Sequence, residues 1–301
     1  LTFSTNAILK LFGIDPDDND KEVNNSTMYD IASLTKVMAT TLAVMKLYDE
    51  GKIKLDEKVS TYIPELKKCN AGKLTIKELL SHYSTLPATY PFYKMKTKET
   101  DKKKAVIEQL KKINTDKKKR YLYSDLNFLV LQLAVENITS KTLDQYLEEN
   151  FYSPMELSHT TFNPLMNGVN QENIAPTELD TIIRHQQILG EVHDPMAYYL
   201  DGVCGNAGLF STAEDLFKIC QMILDNGTLD GRKYLEEDFK TLGKCDIYIC
   251  ACRTKGSTIA FLNDFAKKED IVFFDIKSLM CTEKQKEMAK GIFETIKAII
   301  I

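Results

Sequence analysis

With 301 residues the chain has room for one large domain or two interleaved ones, with ample core. Its 44% apolar and 27% charged residues are ordinary for a globular protein, and no run of 18 apolar residues offers a membrane span. A net charge of -4 excludes a chain-wide attraction for polyanions.

The chain opens at Leu1 without a signal-like segment, so any targeting peptide is out of view. Residues 1–13 read as two short strands joined at Thr5-Asn6. Residues 14–28 are acidic and Asn-rich, the composition of a solvated loop. Tyr29 to Gly51 is the organising stretch. Ala32, Leu34, Val37, Met38, Leu42, Ala43, Met45 and Leu47 favour helix and fall on nearly every face, which predicts a buried helix. Gly51 stands where a helix-ending glycine belongs. Ser33 and Lys36, three apart, would be neighbours on that helix, near the orphan N–H groups of its start. The plain alternative is an N-cap serine followed by a first-turn lysine.

Residues 52–66 form a polar connector, with Pro64 blocking helix. Thr75 and Glu78 make a capping box that opens a short helix before Ser81 and His82. Pro87 and Pro91 mark an irregular loop. Residues 94–120 carry 12 Lys/Arg against 4 acids, yet no aromatic interleaves them. A solvated amphipathic helix fits this block better than a nucleic-acid surface. Tyr123-Ser124-Asp125 sits at a turn into an apolar helix over Leu126 to Ile138, and another helix starts near Leu143. Residues 165–200 read as irregular and polar. Asp201–Thr212, DGVCGNAGLFST, reads as a Gly-rich loop entering a helix from Ala213 to Asn226, ended by Gly227. Its G-x-x-G-x-x-G spacing lacks the dinucleotide pattern. Residues 246–253, 257–262 and 270–276 read as strands, and 283–301 as a final amphipathic helix.

The seven cysteines are odd in number and lack paired spacing, which argues against a disulfide framework and mildly for a reducing compartment. Cys245, Cys250 and Cys252 cluster without a usual zinc spacing, and the four histidines show no mutual ligand spacing. No metal and no cofactor is expected.

The element order predicts an α+β fold: a mainly antiparallel sheet built from N- and C-terminal strands with flanking helices, plus a mostly helical lobe. Residues 1–60 and 240–301 would form the sheet lobe, with the central and C-terminal helices, and 61–239 the helical lobe, together one catalytic domain.

Ser-x-x-Lys alone is weak, since chance predicts about 1.5 matches from 13 serines and the abundant lysines. Its context carries more. The segments from Ile31 to Leu66, Leu74 to Pro87, Tyr121 to Leu157 and Asp201 to Lys218 resemble the serine β-lactamase-related family of class C β-lactamases, D-Ala-D-Ala carboxypeptidases and esterases. The resemblance implies a β-lactamase/transpeptidase-like fold. It implies that Ser33 is an acylated nucleophile, Lys36 its base and Tyr123 a proton relay. Asp125 stands where an asparagine is usual and is assigned to substrate binding. The third motif falls on the edge strand, where Arg253-Thr254 or Lys255-Gly256-Ser257 competes for the position; Lys255, Gly256 and Ser257 are taken as substrate-binding. Asn206 stands where relatives carry histidine.

The implied activity is a serine acyl hydrolase acting on ester, peptide or β-lactam carbonyls of a small-molecule or peptidyl substrate. The alternative is a catalytically weak domain that binds peptidoglycan-like ligands. An ionised Asp125 near Lys36 would favour the ammonium and make it a poorer base, unless Asp125 points away. Members of the group are often exported to the cell envelope, which the resemblance favours. Neither nucleic acid nor a membrane span is expected.

Overall fold

The apolar run after Ser33 folds as one nearly continuous helical segment, and the rest of the structure is packed around it. The computed structural model describes residues 23–115 and 121–236. The strands read at 1–13 and after Asp246, the final helix, and Lys255, Gly256 and Ser257 lie outside the described residues.

Strand β1 (Tyr29–Asp30) leads into a 3-10 turn at Ala32–Leu34, a π-helical stretch at Lys36–Thr41 and helix α1 (Leu42–Asp49). Lys36 through Val44 are all buried, as expected of a segment apolar on every face. The wide turn is filled by the Thr41 hydroxyl, which donates to the Lys36 carbonyl at 2.8 Å. α1 stops at Gly51, whose φ is +67. Its N–H donates to the Tyr48 carbonyl at 2.9 Å and that of Lys52 to the Leu47 carbonyl at 2.8 Å, a Schellman arrangement.

Helix α2 (Val59–Tyr62) is short. Helix α3 (Ile76–Leu80) opens on the Thr75/Glu78 capping box, with both reciprocal bonds present. The basic block holds α4 (Lys102–Leu110), which buries Ala105, Val106 and Leu110. Two of its lysines reach other elements: Lys102 pairs with Asp201 and Lys103 with Glu136. That is the solvated amphipathic helix its composition predicts.

Helix α5 (Asp125–Thr139) is buried at every position from Leu126 to Val135 and packs beside the central segment. Helix α6 (Leu143–Leu147) runs into a π-helical stretch at Glu148–Tyr152. There the Tyr152 hydroxyl donates to the Met38 carbonyl at 3.0 Å, tying it to the central segment.

Two regions differ from their sequence reading. Strand β2 (Thr161–Phe162) is followed by a hairpin, β3 (Glu178–Asp180) with β4 (Gln186–Ile188), and by α7 (Pro195–Tyr199), within a stretch read as irregular. The hairpin is short and mostly polar, so alternation is hard to see. Its turn is held by Asp180, whose carboxylate accepts the N–H groups of Ile182, Ile183 and Arg184. The Gly-rich segment also contains a strand, β5 (Leu209–Ser211), before α8 (Ala213–Leu224). Among the described residues β5 is the middle of a three-stranded antiparallel sheet, pairing Tyr29 with Ser211 on one side and Phe162 with Leu209 on the other. Buried on both faces, it shows no period-two pattern. A further hairpin, β6 (Thr228–Leu229) and β7 (Arg232–Lys233), follows Gly227. Among the described residues no helix is long and apolar enough to cross a membrane.

Candidate active site

Ser33 stands at the tip of a sharp turn between β1 and the central helical segment. Ile31 donates its N–H to the Leu209 carbonyl at 3.0 Å, fixing the turn to β5. Asp30 clamps the turn from its other side: its Oδ1 accepts the Ala32 N–H at 2.8 Å and its Oδ2 the His193 N–H at 2.7 Å. Burial pushes the Asp30 carboxyl above its usual range, while those two amides pull the other way. Ala32 itself has φ +47, a left-handed conformation that costs a residue with a Cβ on the order of 1 kcal/mol. The surrounding bonds hold that strain next to Ser33. The Ser33 hydroxyl does not cap the helix; its Oγ accepts from Lys36 Nζ at 3.0 Å.

Lys36 is 1% exposed, and a cation there needs partners. It has three. Nζ donates to Ser33 Oγ at 3.0 Å, to the Asn206 carbonyl at 3.0 Å and to Asp125 Oδ1 at 2.8 Å. The Tyr123 ring centroid lies 4.8 Å from Nζ and that of Phe128 5.8 Å. The set suits both protonation states. An ammonium spends its three N–H bonds on the three acceptors. A neutral amine spends two on Asp125 and Asn206 and turns its lone pair to the Ser33 hydroxyl. Asp125 therefore points at Lys36.

Tyr123 and Asp125 are set by the turn that starts α5. Asp125 donates its N–H to the Ala88 carbonyl at 2.8 Å, and Ser124 its hydroxyl to the Pro87 carbonyl at 2.6 Å. The Ser124 N–H donates to His82 Nδ1 at 3.1 Å, and Asn127 Nδ2 lies 3.1 Å from the same nitrogen. Asn127 Oδ1 in turn accepts from the Ser84 hydroxyl at 2.6 Å. His82 is buried, with φ +53, and its ring lies 4.5 Å from that of Tyr123. Burial, helped by the Lys36 charge, lowers its pKa to about 3, so the imidazole is neutral. With Nδ1 accepting, the proton sits on Nε2, which has no partner among the described residues.

The Gly-rich segment supplies the third side. Gly205 passes so close to α5 that an added Cβ would lie 2.2 Å from the Phe128 carbonyl oxygen. Its N–H donates to Gln132 Oε1 at 2.9 Å, and its carbonyl accepts from the Thr40 hydroxyl at 2.7 Å. Leu209 donates its N–H to Thr35 Oγ1 at 3.1 Å. These bonds aim the Asn206 carbonyl at Lys36. The Asn206 side chain is buried too, and its Oδ1 has no partner among the described residues. Cys204 lies in the same loop, fully buried, and burial holds its thiol protonated well above the usual range, so it offers no rival nucleophile.

The structure thus brings together four sequence-predicted residues, Ser33, Lys36, Tyr123 and Asp125. Sequence reasoning missed what Asp30, Thr35, Thr40 and His82 do here. It noted Asn206 for its side chain rather than its carbonyl. Asp30, immediately before the turn, is an Asx signal that could have been read; no local signal marks the others. Among the described residues no group of His, Cys, Asp and Glu could hold a metal ion.

The Beta-lactamase family model matches residues 7–244. The chain is 37% identical over 232 residues to an N-acetylmuramyl-L-alanine amidase of Bacillus subtilis, covering 69% of this chain and 52% of that protein. It is 37% identical over 234 residues to a putative D-alanyl-D-alanine carboxypeptidase of Salmonella gallinarum, covering 70% and 54%. The chain thus spans about half the length of these curated relatives. A solved class C β-lactamase superposes with a TM-score of 0.55 at 20% identity, covering 70% of this chain and 54% of that one, a likeness of fold.

Proposed function

The chain belongs to the beta-lactamase family, and we propose that it is a serine acyl hydrolase working through an acyl-enzyme on Ser33. One observation carries the reading: Ser33 Oγ, Lys36 Nζ and Asp125 Oδ1 form a continuous hydrogen-bonded line beside the Tyr123 ring. Ser33 Oγ attacks a carbonyl carbon as Lys36 Nζ takes its proton. The tetrahedral intermediate collapses, the bond to the leaving group breaks, and the proton passes from Lys36, directly or by way of the Tyr123 hydroxyl, to the departing atom. Water then attacks the ester, and Ser33 recovers its proton. The Ser33 N–H, at the start of the helical segment, is one donor for the developing oxyanion. Lys255, Gly256 and Ser257 are assigned to the substrate side of this reading.

The substrate class is an acyl ester, amide or β-lactam. The names of the amidase and of the putative carboxypeptidase both concern amide bonds, and they support peptidoglycan-like ligands and the cell envelope as the place of action. A second reading, a weak catalyst that chiefly binds such ligands, is motivated by the Lys36–Asp125 pair, which sets a carboxylate directly on the base.

The test is covalent capture. Incubation with a fluorophosphonate or a fluorescent penicillin should add mass to Ser33, and Ser33→Ala should lose the adduct. No adduct, together with no turnover of p-nitrophenyl esters or a chromogenic cephalosporin, would favour the binding reading instead.

A further inference from the structure

We propose that Arg184 is a positioning residue for Ser33: through the peptide group between Val192 and His193 it fixes Asp30, and Asp30 fixes the turn that presents the nucleophile. This rests on the acyl-enzyme reading above and adds to it a residue outside the line of Ser33, Lys36 and Asp125.

One peptide group is bonded from both ends. Arg184 Nη1 donates to the Val192 carbonyl at 2.7 Å, and the His193 N–H of that same peptide donates to Asp30 Oδ2 at 2.7 Å. Among the described residues every peptide is trans, and a trans peptide points its C=O and N–H in opposite directions. The guanidinium and the carboxylate therefore flank the peptide from opposite sides. Arg184 Nη2 donates to the next carbonyl, that of His193, also at 2.7 Å. The planar fork thus grips two successive carbonyls, which fixes the tilt of the peptide as well as its place.

Arg184 is itself firmly seated. Its side chain is 4% exposed, and its guanidinium lies over the Tyr198 ring, 4.1 Å from the centroid. Its Nε stands 3.7 Å from Asp180 Oδ2, on the carboxylate that collects three amides in the β3–β4 turn. Glu191 Oε2 stands 3.8 Å from Nη1. Both carboxylates lie beyond hydrogen-bond length, so the two short bonds of the cation go to the backbone. Those bonds are charge-assisted at the donor, and the bond to Asp30 is charge-assisted at the acceptor. Hydrogen bonds in a chain polarise one another. A cation on the Val192 oxygen makes the His193 N–H a stronger donor to Asp30.

Asp30 passes the constraint to Ser33. Its Oδ1 bond to the Ala32 N–H is local, whereas its Oδ2 bond to His193 spans 163 positions and sets which way the carboxylate faces. Ala32 holds φ +47 immediately before Ser33, a conformation that persists only where its surroundings enforce it. The other tie of the turn, from the Ile31 N–H to the Leu209 carbonyl, lies before Ala32 and leaves that φ free. A loosened Asp30 lets Ala32 relax toward negative φ. That rotation turns the next residue, Ser33, whose Oγ must stay 3.0 Å from Lys36 Nζ.

The test is saturation labelling of Ser33 with a fluorophosphonate, which separates the rate constant of bond formation from the half-saturating concentration. It is run on the wild-type chain, Arg184→Met, Arg184→Lys, Asp30→Asn and the two double variants, with thermal unfolding of each. In Asp30→Asn an NH2 group replaces one accepting oxygen, so one of the two amide bonds is lost. Arg184→Met and Asp30→Asn should each lower the rate constant about threefold to thirtyfold, the scale of coupled groups, and leave the half-saturating concentration within about twofold. An ammonium grips one carbonyl where the fork grips two, so Arg184→Lys should label more slowly than the wild type and faster than Arg184→Met. In the Asp30→Asn background both Arg184 changes should slow labelling by less than about twofold, because the clamp they serve is already broken. An arginine that only stabilises the fold would lower the melting temperature and the fraction labelled, with the rate constant of the folded fraction unchanged; that result overturns the proposal. So do effects of Arg184 and Asp30 that multiply independently. Should Arg184→Met not fold, Arg184→Lys carries the same cycle, and a wild-type rate constant there overturns the proposal too. Absence of Ser33 labelling in the wild type takes down the acyl-enzyme reading, and this one with it.

Discussion

Lys36 Nζ and Asp125 Oδ1 stand 2.8 Å apart, although 89 positions separate them in the chain. The contact joins the helical segment that carries Ser33 to the first turn of α5. Among the described residues it leaves the buried lysine with one carboxylate, one backbone carbonyl and one hydroxyl as partners. Lys36→Met removes the only amine in reach of Ser33 Oγ among the described residues. Ser33 labelling should slow by about a thousandfold, within the range for losing a positioned base. Ser33→Ala should abolish labelling and leave the melting temperature nearly unchanged, since it removes a single acceptor. Labelling of Lys36→Met at the wild-type rate would show that Lys36 is not the base.

His82 sets a pH dependence of stability. Its pKa is lowered to about 3 in the folded protein, against 6.5 for an ordinary histidine. Between those values the unfolded chain binds a proton that the folded one does not. Stability from this group is therefore full above pH 6.5 and falls as pH drops toward 3, by at most about 1.4 kcal/mol per pH unit. Denaturant unfolding at pH 7, 6, 5 and 4 measures it. In His82→Asn, whose side-chain oxygen can still accept the Ser124 N–H, the slope over that window should be shallower than in the wild type. Equal slopes would show that His82 titrates normally.

Gly205→Ala tests the seating of the lysine's backbone acceptor. The new Cβ would fall 2.2 Å from the Phe128 carbonyl oxygen, on a helix buried on all sides, so the loop must move. A stability loss of about 2–4 kcal/mol is expected, together with slower labelling of Ser33 because the Asn206 carbonyl shifts away from Lys36. Thermal unfolding and the labelling rate read the two effects separately. A variant that loses stability but labels at the wild-type rate would show that Asn206 does not matter to Ser33.

Gly51→Ala separates fold from site. The position has φ +67 and open space around an added Cβ, so the cost is backbone strain alone, about 1 kcal/mol. Unfolding should shift by that amount and Ser33 labelling should not change. A stability loss of several kcal/mol would mean that the glycine also has a packing role.

Much of the site was legible before any fold was known. Ser33 and Lys36 share a helical segment, so their distance follows from spacing, and Tyr123 and Asp125 lie at a helix start marked by polar residues before an apolar run. His82 was legible only as a residue after a short helix. Its role depends on an N–H from Ser124, 42 positions away, which no local pattern reveals. β5 was hidden because a strand covered on both faces carries no alternation. The β3–β4 hairpin was hidden because its turn is made by one aspartate collecting three amides.

The amino-acid sequence by itself determined the α+β class, the buried helical segment with its glycine stop, the capping box of α3 and the pairing of Ser33 with Lys36. These are local matters, set by propensity, periodicity and three-residue spacing. Only the tertiary structure decided that Asp125 faces Lys36, that the Asn206 carbonyl completes the lysine's partners and that His82 is neutral. Each of those depends on chain segments far apart in sequence meeting around buried side chains, Lys36 and His82 each 1% exposed. A buried charge or donor must find its partner across the fold, because solvent does not reach it to supply one.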